Sequence, residues 1–201
     1  MRNQFTFLGI PTPEQRRLAA GSLRGFPPPA EADVVAFTGA CWEAPEREYQ
    51  YAACDYAIRH VGRCGDGFID HARTLIVAKS WWDTVDALAA NLVGPLVRAH
   101  PQLVPVMDTW IDADDHWLAR TAILHQLHAK DATVAARLFR YCARRAGDRE
   151  FFIRKAIGWA LREYSKTDAA AVREFVADHR GQLSPLSTRE ALKWLNRKER
   201  G

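Results

Sequence analysis

Trp82 and Asp86 stand four residues apart, a spacing that puts two side chains on one face of a helix, one turn from each other. A carboxylate beside an electron-rich ring stabilises positive charge twice, by Coulomb attraction and through the ring quadrupole. A reaction that develops a cation gains from such a pair, and cleavage of an N-glycosidic bond, with its oxocarbenium-like sugar, is one. The plain alternative is that Trp82 packs under a neighbouring element while Asp86 is a solvated or capping charge. Arg120 is either a phosphate clamp or a surface arginine lying over apolar neighbours. Arg154, Lys155 and Arg189 extend a possible track for an anion, or are solvated surface. Trp159 follows Gly158 in mid-helix, where a glycine costs about 1 kcal/mol relative to alanine and so marks the close approach of a ligand or of another helix.

Other constellations carry less. His125 and His128 are three residues apart but lack a third ligand at metal-site spacing, so no metal is expected. Gly62, Gly65 and Gly67 follow no strand and precede no Gly-Lys-Ser/Thr, which makes them a turn rather than a phosphate loop. Asp112, Asp114 and Asp115 read as the end of one helix and the cap of the next. Nothing argues for burial of Lys79 as a nucleophile.

The elements that must hold these residues are helical almost throughout, because apolar positions recur at helical and not at alternating spacing. The pattern predicts a first helix opening at Thr12, with Thr12 as cap, Pro13 in the first turn and Gln15 closing a capping box. Further helices are predicted near 31–42, 45–60, 67–79, 82–98, 101–111, 115–128, 132–146, 149–164, 169–179 and 187–197. Ala53, Ala87, Ala122, Ala156 and Ala191 are separated by 34, 35, 34 and 35 residues, a period that fits one helix pair. Self-similarity of that length marks a solenoid of helix pairs, each stacking on its neighbours.

Counted from each reference alanine at about 100° per residue, one stripe of the second helix in each pair is apolar and faces the core. The opposite face receives Trp82 and Asp86, Trp117 and His125, Lys155 and Trp159, then Glu190 and Trp194, flanked by Arg120, Arg154 and Arg189. Large aromatics among charges on such a face suggest a ligand-binding groove.

Composition narrows the classes. The chain has 201 residues, 48% hydrophobic and 26% charged, which excludes collagen-like, low-complexity and disordered readings. Its four cysteines form no Cys-x-x-Cys pair and read as buried thiols in a reducing cytoplasm. Apolar runs are too short to cross a bilayer, so a soluble protein is expected. The net charge of +4 is concentrated in residues 101–201, with 18 basic against 13 acidic side chains. Arginine outnumbers lysine 22 to 6, which hints at a phosphate-bearing partner.

The strings Phe7-Leu8-Gly9-Ile10, Pro45-Glu46-Arg47-Glu48, Lys79-Ser80-Trp81-Trp82-Asp83-Thr84-Val85-Asp86, Trp117-Leu118-Ala119-Arg120 and Phe151 to Tyr164 (FFIRKAIGWALREY) closely resemble the AlkD family of DNA alkylation-repair glycosylases. The resemblance runs in order from about residue 5 to residue 195. It implies an all-α, right-handed superhelical solenoid of HEAT-like antiparallel pairs with a concave DNA-binding groove, one domain over residues 1–201. It also implies excision of N3- and N7-alkylated purines from duplex DNA by a monomer without metal or organic cofactor. Trp82 and Trp159 match the family's groove tryptophans, Asp86 its catalytic carboxylate and Arg120 its backbone-contacting arginine. Arg154, Lys155, Arg189 and Trp194 complete the expected DNA surface. The resemblance also implies a further helical segment ahead of Phe7-Leu8-Gly9-Ile10 in relatives, including a tyrosine beside the groove, and the expectation is either a trimmed or misassigned start here or a shortened member without that aromatic. A non-catalytic DNA-binding relative and a peptide-binding HEAT scaffold are the competing readings.

Overall fold

The structure is a computed structural model that describes residues 4–198. Helix α1 (Thr12–Ser22) is followed by α2 (Glu31–Glu43) and α3 (Arg47–His60), then α4 (Phe68–Val77) and α5 (Trp82–Leu88), which continues through a π-helical segment Ala89–Val93 into α6 (Gly94–Ala99). The remaining pairs are α7 (Val104–Trp110) with α8 (His116–Leu124), α9 (Ala135–Arg144) with α10 (Phe151–Tyr164), and α11 (Ala169–Asp178) with α12 (Pro185–Lys198). The five reference alanines all fall in the second helix of a pair, and Ala53, Ala122, Ala156 and Ala191 are fully buried. Successive second helices pack on one another, so the chain is an all-α solenoid.

Side-chain caps mark the starts of three helices. Asp115 caps α8, its carboxylate accepting from the Trp117 and Leu118 N–H groups at 2.7 and 3.4 Å; Glu150 and Asp168 do the same for α10 and α11. The cap expected from Thr12 is not made: α1 begins at Thr12 itself, with Pro11 before it and no side-chain cap bond. The predicted 82–98 helix bulges into a π-turn just ahead of Pro95, which cannot donate to the helical ladder. Gly94 follows the bulge because a Cβ there would meet the carbonyl oxygen of His125 at the end of α8.

Bonds made by side chains trace the period directly. Trp42 Nε1 donates to Ala78 O across 36 residues, Gln102 to Asp66 across 36, Arg140 to Asp108 and Arg144 to Asp112 across 32, and Lys155 to Glu190 across 35. Each joins one repeat to the next. At the N-terminal end the Glu48 carboxylate accepts from the N–H groups of Leu8, Gly9 and Ile10, which pins that string to α3. Burial opposes ionisation of Glu48, but the backbone donors outweigh it and hold the carboxyl below the usual glutamate range.

The face opposite the reference alanines is less open than the angular reading predicts. Trp117 and His125 are 8% and 1% exposed, because α8 lies in mid-stack with α4, α5, α7, α9 and α10 around it. Glu190 is also buried, against α10. Cys54, Cys64 and Cys142 are buried as expected, whereas Cys41 is only half-buried.

Candidate active site

The second turn of the Trp82–Leu88 helix carries Asp86, and α8 carries the group that meets it. Arg120 donates from Nε to Asp86 Oδ1 at 2.7 Å and from Nη2 to Oδ2 at 2.8 Å, a fork-to-fork pair. Its Nη1 donates to the carbonyl of Phe152 in the first turn of α10. One guanidinium therefore ties three successive repeats together. The Arg120 side chain is 2% exposed and that of Asp86 17%. Each Asp86 oxygen accepts one bond among the described residues, so the carboxylate keeps acceptor capacity. Burial raises the Asp86 pKa; the Arg120 bonds and charge oppose that rise, and Asp83 adds to it, with a net shift upward.

Trp82 opens the helix and is 44% exposed, so its ring stands on the surface one turn from Asp86. Trp159 is half-buried on α10, its ring centroid 5.5 Å from the Arg120 guanidinium carbon. Lys155 Nζ and the Arg162 guanidinium carbon lie 5.5 and 6.0 Å from the same ring. Glu190 on α12 binds both of these cations, Lys155 at 2.9 Å and Arg162 at 3.0 Å. Hydrogen bonding from Lys155, above all, holds the Glu190 carboxyl below its ordinary range. The approach that brings Glu190 there depends on Gly158, since a Cβ on Gly158 would sit 2.5 Å from Glu190 Cβ and 3.0 Å from Ser187 O. The mid-helix glycine thus marks a neighbouring helix.

Beneath Asp86 and Arg120 lies an aromatic floor: Trp81 packs 5.3 Å from Phe152 and 6.1 Å from Trp117, and His116 stacks on Phe152. That floor fixes the Phe152 carbonyl on which Arg120 rests. A cavity of about 630 Å³ lies elsewhere, between α1, α2 and α3.

Sequence and structure agree unevenly. Asp86 and Trp159 meet through Arg120, and Trp82 lies one turn from Asp86. Arg120 itself is buried and committed inside the protein, so a phosphate would have to displace Asp86 or Phe152 O to reach it. Lys155 is committed to Glu190, and Arg154 Nε to the Asp148 carbonyl at 2.8 Å. Arg189 is exposed and Trp194 half-buried, both on α12. The reading of single residues placed Glu190 on this face but missed Arg162 and the bonds of Glu190 to both cations, for which a spacing of one repeat from Lys155 to Glu190 was the available signal.

A family model described as DNA alkylation repair enzyme matches residues 1–195. The chain belongs to the DNA alkylation repair enzyme family. A solved structure described as a predicted DNA alkylation repair enzyme from Enterococcus faecalis is 34% identical to this family member, with a TM-score of 0.87 over 96% of this chain and 90% of that one. The crystal structure of smu.31 from Streptococcus mutans UA159 shares the fold at 13% identity, with a TM-score of 0.67 over 89% of this chain and 90% of the other. No curated protein matches the chain. Among the described residues of this DNA alkylation repair family member, no helix is long and apolar enough to cross a membrane.

Proposed function

We propose that this protein is a monofunctional DNA glycosylase that removes N3- and N7-alkylated purines from duplex DNA, acting as a monomer in the cytoplasm. In this reading the whole chain is one HEAT-like repeat domain. The observation that carries it is the Asp86 carboxylate, held by a buried arginine yet left with free acceptor capacity beside two tryptophans, in a member of a DNA alkylation repair family. Alkylation at N3 or N7 makes the purine cationic and therefore a good leaving group, so no acid is required to protonate it. What remains is to stabilise the sugar cation that forms and to direct water to it.

Asp86 supplies the negative charge, and Arg120 keeps that charge present and aimed despite burial. Trp82, on the surface, contacts the damaged nucleotide. Trp159 offers its ring edge to the same nucleotide while Arg120, Lys155 and Arg162 surround it. Arg120 thus acts through Asp86 in the free protein, while exposed Arg189 and half-buried Trp194, with the donors that Arg154 and Lys155 keep beyond their bonds to Asp148 and Glu190, form the approach for the phosphate backbone.

The test is to incubate the protein with methylated duplex DNA and identify freed bases by mass spectrometry. The parent releases 7-methylguanine or 3-methyladenine, and Asp86→Asn binds the same DNA without releasing either. Equal release by both would remove Asp86 from the reaction. No release by the parent, with DNA binding that weakens steeply as salt rises, would favour a non-catalytic DNA binder. Salt-insensitive binding of peptide instead of DNA would favour a scaffold.

A further inference from the structure

A second buried arginine lies behind the turn that launches the Trp82–Leu88 helix, and the reaction described above makes no use of it. Arg47, in the first turn of α3, is fully buried. It donates to Lys79 O at 2.8 Å, to Asp83 Oδ1 at 2.6 Å and Oδ2 at 3.3 Å, and to Thr84 Oγ1 at 2.8 Å. The Tyr51 hydroxyl donates to Asp83 Oδ2 at 2.6 Å, and the Thr84 N–H to Oδ1 at 2.9 Å. The Phe5 ring covers the guanidinium from the other side, 4.0 Å away. Lys79, whose carbonyl Arg47 holds, has a left-handed backbone (φ 49°), which a side-chain-bearing residue keeps only when its surroundings impose it. Its ammonium in turn donates to the Glu43 and Ala44 carbonyls at the end of α2.

Asp83 lies three residues before Asp86 on the same helix, so the two carboxylates share a neighbourhood. Two such charges at close range in a desolvated site oppose each other's ionisation unless one is cancelled. We propose that Arg47 and Asp83 are a positioning pair for the reaction at Asp86: Arg47 fixes the turn from which Trp82 and Asp86 project and cancels Asp83, leaving Asp86 as the anion facing the substrate. This rests on the glycosylase reading above.

The surrounding charges are accounted for. On α8, Arg120 bonds Asp86 directly and His116 stacks on Phe152. On α3, Arg47 and Tyr51 are taken by Asp83, Glu48 by the N-terminal string and Asp55 by Arg16. On α4, His71 is bonded to Thr38, and Asp70 and Arg73 are exposed. The π-helical segment carries no titratable side chain. Asp83 and Arg120 are the charges that bear on Asp86.

The experiment is the pH profile of single-turnover 7-methylguanine release for the parent, Asp83→Asn, Arg47→Met and the double variant. Asparagine matches aspartate in shape, and its one oxygen accepts from Arg47 Nε and Tyr51, although its amide then faces the Arg47 Nη2 and Thr84 N–H donors; urea denaturation establishes that Asp83→Asn is folded, and that variant decides the matter if Arg47→Met fails to fold. Loss of activity at low pH is expected to move to lower pH in Asp83→Asn and to higher pH in Arg47→Met, by about half a unit or more. The double variant is expected to return towards the parent even if its maximal rate stays low. Rates that change while every profile keeps its midpoint would overturn the proposal, leaving the pair a packing element. Titration of the Asp86 carboxyl by carbon NMR in the parent and Asp83→Asn reads the same coupling without DNA. Coupling seen there in a parent that releases no base would sink the glycosylase reading and the proposed role with it; an active parent with no coupling would sink the proposal alone.

Discussion

Two buried arginines grip two aspartates one turn apart on the same helix, yet the two pairs are built for different ends. Around Asp83 the carboxylate is closed: Arg47 contributes both ends of its fork, Tyr51 a hydroxyl and Thr84 an N–H. Around Asp86 only Arg120 donates among the described residues, and a strip of the side chain meets solvent beside an exposed tryptophan. Identical residue types thus give an anchor in one place and a candidate reacting group in the other. What separates them is the acceptor capacity left over once the protein's own donors have been counted.

The largest expected difference between the pairs is in activity. Asp86→Asn is expected to lower the rate of base release by about 10²–10³-fold or more, the scale on which loss of a preorganised electrostatic group is felt, whereas Asp83→Asn acts chiefly on the pH profile. Single-turnover assays on both variants check this. Equal losses would erase the contrast.

Stability is expected to treat the pairs alike. Removing either arginine leaves a desolvated carboxylate without its partner, at a cost of about 3–5 kcal/mol, so Arg47→Ala and Arg120→Ala should both show strongly reduced denaturation midpoints in urea. A mild effect for Arg120 alone would mean that Asp86 reaches water more easily than its 17% exposure implies.

A smaller effect concerns Trp159. Gly158→Ala forces α10 and α12 apart by the Cβ contacts described above and should cost about 1–3 kcal/mol, while weakening the hold of Glu190 on Lys155 and Arg162. Thermal unfolding measures the first effect, and a change in tryptophan fluorescence reports the second. Activity retained at lower stability would place the Trp159 frame outside the reaction.

The Glu48 anchor should show the smallest and most local effect. The folded-state pKa of Glu48 is depressed, so its contribution is present above the ordinary glutamate range and is lost as pH falls through the lower folded value. Hydrogen exchange at Leu8, Gly9 and Ile10 is expected to lose protection in that window, and in Glu48→Gln to be weakly protected at neutral pH. His125 gives a separate, global slope. Burial lowers its pKa to about 4, so stability should begin to fall as pH drops below about 6.5, by on the order of 3 kcal/mol in total.

The solenoid was legible because its period is written in small residues that must sit at helix contacts, and four of the five reference alanines are fully buried. Asp86, Trp82 and Trp159 were legible as a cluster because helical spacing fixes which side chains share a face. Burial of Arg120, Trp117 and His125 was not, since the direction of a side chain says nothing of what stands across from it. Whether an arginine faces phosphate or a carboxylate depends on the next repeat. The Lys155–Glu190 and Arg47–Asp83 pairs show the same limit: each partner looks like an ordinary surface charge until a residue some 35 positions away is brought beside it.

Because the long-reach bonds each span a single repeat, every tier is braced only by the tiers above and below it. Cooperativity in such a stack is one-dimensional. Opening should begin at a terminal tier and travel inward, with the α11–α12 tier exchanging its amide protons well before the central tier of α8. Placing Asp86 and Arg120 mid-stack therefore shields their geometry from fraying at either end of the stack.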